Sequence, residues 1–420
     1  MVQNCSRVQA DFTAQTLDLG VDSLDTNELK RLKDFIKKKD PGSFLLAMSE
    51  EELLFALGVL KRTKFSTAGQ VTVAGLILLG QEAVLRNVLP SAEVIYLHMQ
   101  NDNEYDKRID CAKPLLSLLD ILTQTIEEYN RIFTLKIGLF DYEIPDFPQA
   151  VYQEALLNGL THRDYSLLSP LYIRHYQDRL DIASPGLFFG GVTPENILSH
   201  EPITRNPLLN SMLSRIGLVA RAGLGIKRML TTLLAFGKEP LQIEISEPFV
   251  HFIIRNGNLD ETFARFCLHQ SQTGREFSLF DLLILSFLKR NREIEVKTAT
   301  QLLARPESKA KEILNSMIER GILEPFGLTK GTVYRLSKDV FNQLRKSVTY
   351  TLHRRAEAIY AENLILEYIK ENGYITNEIC RTLLRINRHQ AQYLLKRLVA
   401  KGKLTAPQKG RNARYFRRHK

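Results

Sequence analysis

Residues 148–229 are the stretch that most narrows what this chain can fold into. A helix opening at Pro148 carries two polar residues, Glu154 and Asn158, among Ala155, Leu156 and Leu157. Proline favours a helix start, and residues four apart share a face one turn above one another. Burying a carboxylate and an amide without partners costs several kcal/mol. A phosphate-bound Mg²⁺ with a water would supply partners, Asn158 as an oxygen ligand and Glu154 orienting or deprotonating the water. An amphipathic helix with both side chains in solvent is the plainer alternative, and spacing leaves both open.

The residues beyond this helix keep the order of a phosphate site. Thr161 to Tyr165 includes His162, Arg163 and Asp164; Leu171 to Ala183 then alternates around Gln177-Asp178-Arg179 as two antiparallel strands. Ser184-Pro185-Gly186 ends the second strand, where glycine lets backbone approach a ligand, and Gly190-Gly191 adds a second flexible point. Arg205, Asn206 and Pro207 come next. Gly223-Leu224-Gly225 then opens a helix whose free N–H groups and dipole favour anions. Arg205 and Arg221 are bidentate phosphate candidates or ordinary surface pairs.

At 420 residues the chain has room for two or three domains. No apolar run approaches a membrane span, and the N-terminus lacks a signal pattern. Cys5, Cys111, Cys267 and Cys380 are scattered, without disulfide or metal-ligand spacing, which suits reduced thiols in a cytoplasmic protein. The charge is uneven. Residues 341–420 hold 18 Lys and Arg against 5 Asp and Glu, a surplus of 13, so the rest of this +10 chain carries −3. A basic tail on a near-neutral body points to an acidic partner, nucleic acid first, or to a solvated basic face.

Upstream, residues 1–25 read as a linker or remnant. A helix is expected over Thr26–Lys39 with Asp25 or Thr26 as cap, and Ser49 with Glu52 is a capping box. Val71–Leu79 is helix or buried strand, Ala92–Gln100 strand, Leu115–Phe133 a long helix and Thr134–Gly138 a short strand.

Residues 148–229 resemble the nucleotide-binding module of the GHKL superfamily, closest to its "RecG-like" ATP-binding transcriptional regulators. The residues that carry the likeness are Glu154 to Tyr165, Asp178 to Gly186, Arg205-Asn206-Pro207 and Gly223 to Met229. The resemblance implies a GHKL-type α+β sandwich, ATP with Mg²⁺ on Asn158, and Glu154 positioning the hydrolytic water. It puts Gly186 near the adenine and Gly223 and Gly225 in a lid over the phosphates. His162, Arg163, Asp164, Ser184, Arg205 and Asn206 complete the expected nucleotide set. Ser184 stands where the superfamily has its adenine-binding aspartate. Residues 12–140 resemble a connecting region that follows an Alba-type (Schlafen-like) domain; the resemblance implies that this domain is either lost or split off from this chain.

Towards the C-terminus, Phe277–Lys289, Val296–Leu303 and Ser308–Arg320 form a helix triplet, and Ile322–Leu336 a hairpin about Lys330-Gly331. The pattern recurs as Ala361–Lys370, Thr376–Leu384, Asn387–Ala400 and a hairpin over Lys403–Arg417, which reads as two winged helix-turn-helix modules. Third helices of such modules enter the major groove. The second copy offers Arg388, His389, Gln392, Lys396 and Arg397 there, and Lys403, Lys409, Arg411 and Arg414 on its wing. The expected order is an α/β connecting domain at 26–140, the ATP-binding domain at 141–258, and winged helices at 275–340 and 350–420. The leading reading is an ATP-binding, DNA-binding transcriptional regulator, with a homodimer open. The alternatives are a DNA-associated ATPase in defence or repair, or a degenerate scaffold that binds no nucleotide. A helicase motor is excluded, since no G-x-x-x-x-G-K-[ST] loop is present.

Overall fold

Capping fixes the first helices. The Asp25 carboxylate accepts from Asn27 and Glu28 N–H at the head of α1 (Thr26–Lys39), and Ser49 with Glu52 closes both halves of a capping box on α2 (Glu50–Leu57). This is a computed structural model. It describes residues 11–63, 66–137, 139–219, 223–257, 259–326, 332–344, 361–362, 364–384, 388–405 and 413–417. Lys409, Arg411, Arg221 and the Lys330-Gly331 turn lie outside the described residues, as does the side chain of His389.

The chain divides into compact units at 1–264 and 265–420. After α2 the first contains β1 (Leu60–Thr63), β2 (Ser66–Val71), α3 (Val73–Leu79), α4 (Glu82–Val88), β3 (Val94–Asn101) and β4 (Glu104–Cys111). Then come α5 (Leu115–Glu127), β5 (Ile132–Ile137), β6 (Phe140–Pro145), α6 (Gln149–His162), β7 (Leu171–His175) and β8 (Arg179–Pro185). The last elements are α7 (Pro207–Arg215), α8 (Gly225–Ala235), β9 (Gln242–Ser246), β10 (Phe249–Arg255) and α9 (Glu261–Gln272), whose end passes into the second unit.

Six strands form one mixed sheet in the order β4-β3-β7-β8-β10-β9. β3 runs parallel to β7, with Val94 opposite Leu171, and every other neighbouring pair is antiparallel. Side chains alternate across it. On β8, Leu180, Ile182 and Ser184 are buried on the face that α6 covers, and Asp181 lies on the other. Gly159 is what lets α6 come so close: a β-carbon there would lie 3.1 Å from Leu171 Cδ1 and 3.6 Å from Ile182 Cγ2.

The expected boundary at 140/141 is corrected, because β3 and β4 share this sheet with β7–β10. The long helix over 115–133 is corrected too. It ends at Glu127, and the next strand starts at Ile132. The cause is Asn130, whose buried amide holds the Phe147 main chain at both C=O and N–H, 2.9 Å each, and so draws the chain out of the helix. Val71–Leu79 resolves as strand end then helix, with Thr72 capping Gly75 N–H.

In the second unit, α10 (Leu279–Arg290), β11 (Ile294–Glu295), α11 (Val296–Leu303) and α12 (Glu307–Glu319) lead to β12 (Leu323–Phe326) and β13 (Val333–Leu336). The three strands pair as β11-β13-β12. Following α13 (Lys338–Leu344), the order repeats. Helical residues 364–372 (α14), β14 (Ile375–Thr376), α15 (Asn377–Leu384), α16 (Arg388–Ala400) and β15 (Arg414–Tyr415) surround a core of Ile365, Ile369, Cys380, Leu395 and Leu398. The Thr376 hydroxyl accepts from Ile379 N–H as the expected cap of α15. The described cysteines, Cys111, Cys267 and Cys380, are buried and free, and burial pushes the Cys267 and Cys380 thiols up to about 12. No helix among the described residues is long and apolar enough to cross a membrane.

Candidate nucleotide site

One face of α6 presents Glu154, Asn158 and His162 at successive turns. The Asn158 amide donates through Nδ2 to the Glu154 main-chain oxygen at 2.7 Å and to Glu154 Oε1 at 3.2 Å. That commits the nitrogen and leaves Oδ1, an acceptor, as the atom a cation would take. Glu154 is half-buried and sits against α8: a β-carbon on Gly225 would fall 2.0 Å from its Oε1, and Arg228 Nη1 approaches Oε2 at 3.9 Å. The helix α8 starts with no side-chain cap, so its first N–H groups are left for another acceptor.

Between α6, the sheet and the loop over residues 186–203 lies a cavity of about 150 Å³, room for one aromatic ring. Asn158, His162, Ser184, Gly186 and Gly223 contribute to its wall, and Phe189, Ile203 and Phe252 make it mostly apolar. Gly186 at φ 105° and Gly223 at φ 59° hold left-handed conformations that favour glycine. The His162 side chain reaches the surface, yet desolvation first, and the Arg205 guanidinium second, hold its pKa below the ordinary range.

The structure brings these residues together but takes others away. Arg163 is fully buried: its guanidinium donates to the carbonyls of Glu93 (3.0 Å) and Ser169 (2.6 Å) and lies over Tyr165. Desolvation brings its pKa down to about 10. Asn206 donates to the carbonyls of Thr161 and Arg163. Both staple the turn after α6, and neither lines the cavity, which corrects their expected place in the nucleotide set. Arg205 pairs with Asp164 at 3.0 Å and donates to Leu187 O, so this pair pins the loop against the end of α6. Ser184 Oγ donates to Gly159 O at 2.7 Å, so its hydroxyl is already used. The expectation missed Phe189, Ile203 and Phe252. Phe189 and Ile203 were signalled only by the apolar residues of the loop over 186–203, and Phe252 only by the apolar run of β10.

The fold is a mixed sheet with helices on one face and an apolar cavity beside a polar helix turn, an arrangement suited to an ATPase-like domain. Residues 169–254 match the family model described as "ATP-dependent DNA helicase recG C-terminal". A model described as a domain of unknown function matches residues 1–95. No curated protein matches the chain. Among solved structures, the DIP2311 protein from Corynebacterium diphtheriae is 24% identical with a TM-score of 0.64, over 80% of this chain and 66% of that one, a likeness of fold. The chain thus spans 66% of the length of that structure.

Proposed function

We propose that the cavity binds a nucleoside triphosphate, ATP first, with Mg²⁺. The observation that carries this is the pairing of Asn158 and Glu154 on one turn of α6 beside the uncapped start of α8. The cavity accepts the base, and the phosphates extend to the α8 N-terminus. Asn158 is the residue that would hold the metal, which would supply neutralisation of the phosphate charge. Glu154 is the carboxylate within reach to orient or accept a proton from a water. His162, Gly186 and Gly223 form the wall around the nucleotide. Asp164 and Arg205 keep that wall closed.

The second unit supports the companion proposal, two winged helices of which the second contacts duplex DNA. The element order helix, strand, helix, helix, hairpin in residues 279–336 supports the first, and its repetition supports the second. On α16, Arg388, Gln392, Tyr393, Lys396 and Arg397 are exposed, while Ala391, Leu395 and Leu398 are buried. Arg414 is exposed on β15 of the wing, over the Tyr374 ring. Lys403 is different: it pairs with buried Glu362 together with Lys401, and so serves the module's own core.

We read the chain as a nucleotide-binding, DNA-binding transcriptional regulator. Calorimetric titration of the full chain with Mg·ATP tests the first part against Asn158→Ala, and equal affinity in both proteins removes it. A DNA-associated ATPase is the second reading, favoured by the Glu154 carboxylate beside Asn158 and the start of α8. Steady phosphate release that disappears in Glu154→Ala selects it.

A further inference from the structure

The sheet face opposite α6 carries a second cluster that the nucleotide site does not use. Asp181 of β8 and His251 of β10 are diagonal neighbours there, His251 standing opposite Ala183, and Ser246 ends β9 at the turn into β10. Ser246 Oγ and His251 Nε2 are 2.6 Å apart, and His251 Nδ1 and Asp181 Oδ1 2.9 Å. The carboxylate can only accept, so Nδ1 carries the proton and Nε2 is left basic towards the serine hydroxyl, which donates to it. Arg174 Nη1 holds the other carboxylate oxygen at 3.4 Å. Ser246 is exposed, while the His251 and Asp181 side chains are only 16% and 13% exposed. The relay is therefore sheltered and its hydroxyl open.

From this geometry we propose that Ser246, His251 and Asp181 form a serine-hydrolase triad acting on carboxylic esters. Nucleophile, base and orienting carboxylate stand in the order that defines such a triad, whatever the fold. The Glu247 N–H, next to the nucleophile, makes no backbone hydrogen bond among the described residues and is the donor for a developing oxyanion. Phe249 and Tyr172, edge to face at 6.0 Å, lie on the same sheet face and offer an apolar rest for the acyl group. The substrate is an ester with an apolar acyl chain or ring, presented at an open surface.

Each bond change balances. Ser246 Oγ adds to the ester carbonyl as its proton passes to His251 Nε2. The alcohol leaves as the C–O bond breaks and takes that proton. Water then attacks the acyl-serine, gives a proton to Nε2, and releases the carboxylic acid while the proton returns to Ser246. Asp181 acts through His251 as a positioning residue.

The test uses the full chain with a fluorophosphonate probe and with 4-nitrophenyl acetate. The expected results are one adduct, mapped to Ser246, and ester hydrolysis that falls on the order of a hundredfold in Ser246→Ala and His251→Ala. Asp181→Asn lowers the labelling rate and shifts its pH profile, which a merely structural carboxylate would not do. Ser246→Ala removes one exposed hydroxyl, so its thermal unfolding should match the wild type and exclude misfolding as the cause. An unlabelled Ser246, or a Ser246→Ala protein that hydrolyses the ester at the wild-type rate, overturns the proposal. The cavity lies on the other side of the sheet, so this outcome is independent of nucleotide binding.

Discussion

Gly225 packs so tightly on Glu154 that a β-carbon on the glycine would fall 2.0 Å from the glutamate's Oε1. The contact joins α6 to the first residue of α8 and sets the spacing of the candidate phosphate site. Gly225→Ala must push the carboxylate aside or shift the start of α8. The expected outcome is nucleotide affinity about tenfold weaker, roughly 1.4 kcal/mol, with the far-UV dichroism unchanged. Calorimetry with Mg·ATP measures it, and an alanine variant that binds like wild type would show that the contact has no role in binding.

Arg163 holds two carbonyls from full burial, so its value is structural. Arg163→Met leaves the Glu93 and Ser169 oxygens unsatisfied and should cost about 3 kcal/mol of stability. Urea unfolding gives this directly. The folded fraction should still bind nucleotide with wild-type affinity, in contrast to Asn158→Ala.

His175 is a buried neutral histidine. Its Nδ1 and the Tyr96 hydroxyl are hydrogen-bonded at 2.8 Å, the ring is edge-on to Phe147, and desolvation first, then nearby His98, pull its pKa down to about 4. An unfolded histidine titrates near 6.5. The unfolded chain thus binds the extra proton between these values, and the stability that His175 contributes is complete above pH 6.5. It is lost as pH falls towards 4, by roughly 3 kcal/mol over that window. Urea midpoints at pH 7 and pH 4.5 for wild type and His175→Gln check it: the variant should show the smaller acid loss.

Lys396 and Lys403 should separate in a DNA-binding assay. Lys396 is exposed on α16, whereas Lys403 is tied to Glu362. Lys396→Ala should reduce the slope of log affinity against log salt by about 1. Lys403→Ala should keep the slope and lower stability by about 1 kcal/mol. The reverse result would move the contact face from α16 to the wing.

Features set by short-range chemistry were legible. The Asp25 and Ser49 caps, the β7–β8 hairpin, the start of α6 at Pro148 and the Thr376 cap all depend on residues within a few positions of one another. Long-range pairings were hidden. Nothing near Val94 announces that β3 runs parallel to β7, and nothing near Asn130 shows that its amide will end a helix by holding Phe147. Gln242–Ser246 alternates and Phe249–Arg255 is rich in β-branched and aromatic residues, but nothing in either says that β10 will pair with β8, so the Ser246–His251–Asp181 cluster, drawn from three strands, was invisible until they paired.

The sequence by itself determined which residues cap, turn and alternate, that Glu154 and Asn158 share a helix face, and that the basic charge gathers at the C-terminal end. Only the tertiary structure decided which polar groups would be consumed inside the protein. Arg163, Asn206 and Ser184 look in the sequence like ligand-binding groups. They spend their hydrogen bonds on main-chain carbonyls, because buried carbonyls left unpaired are costly and folding brought these within reach.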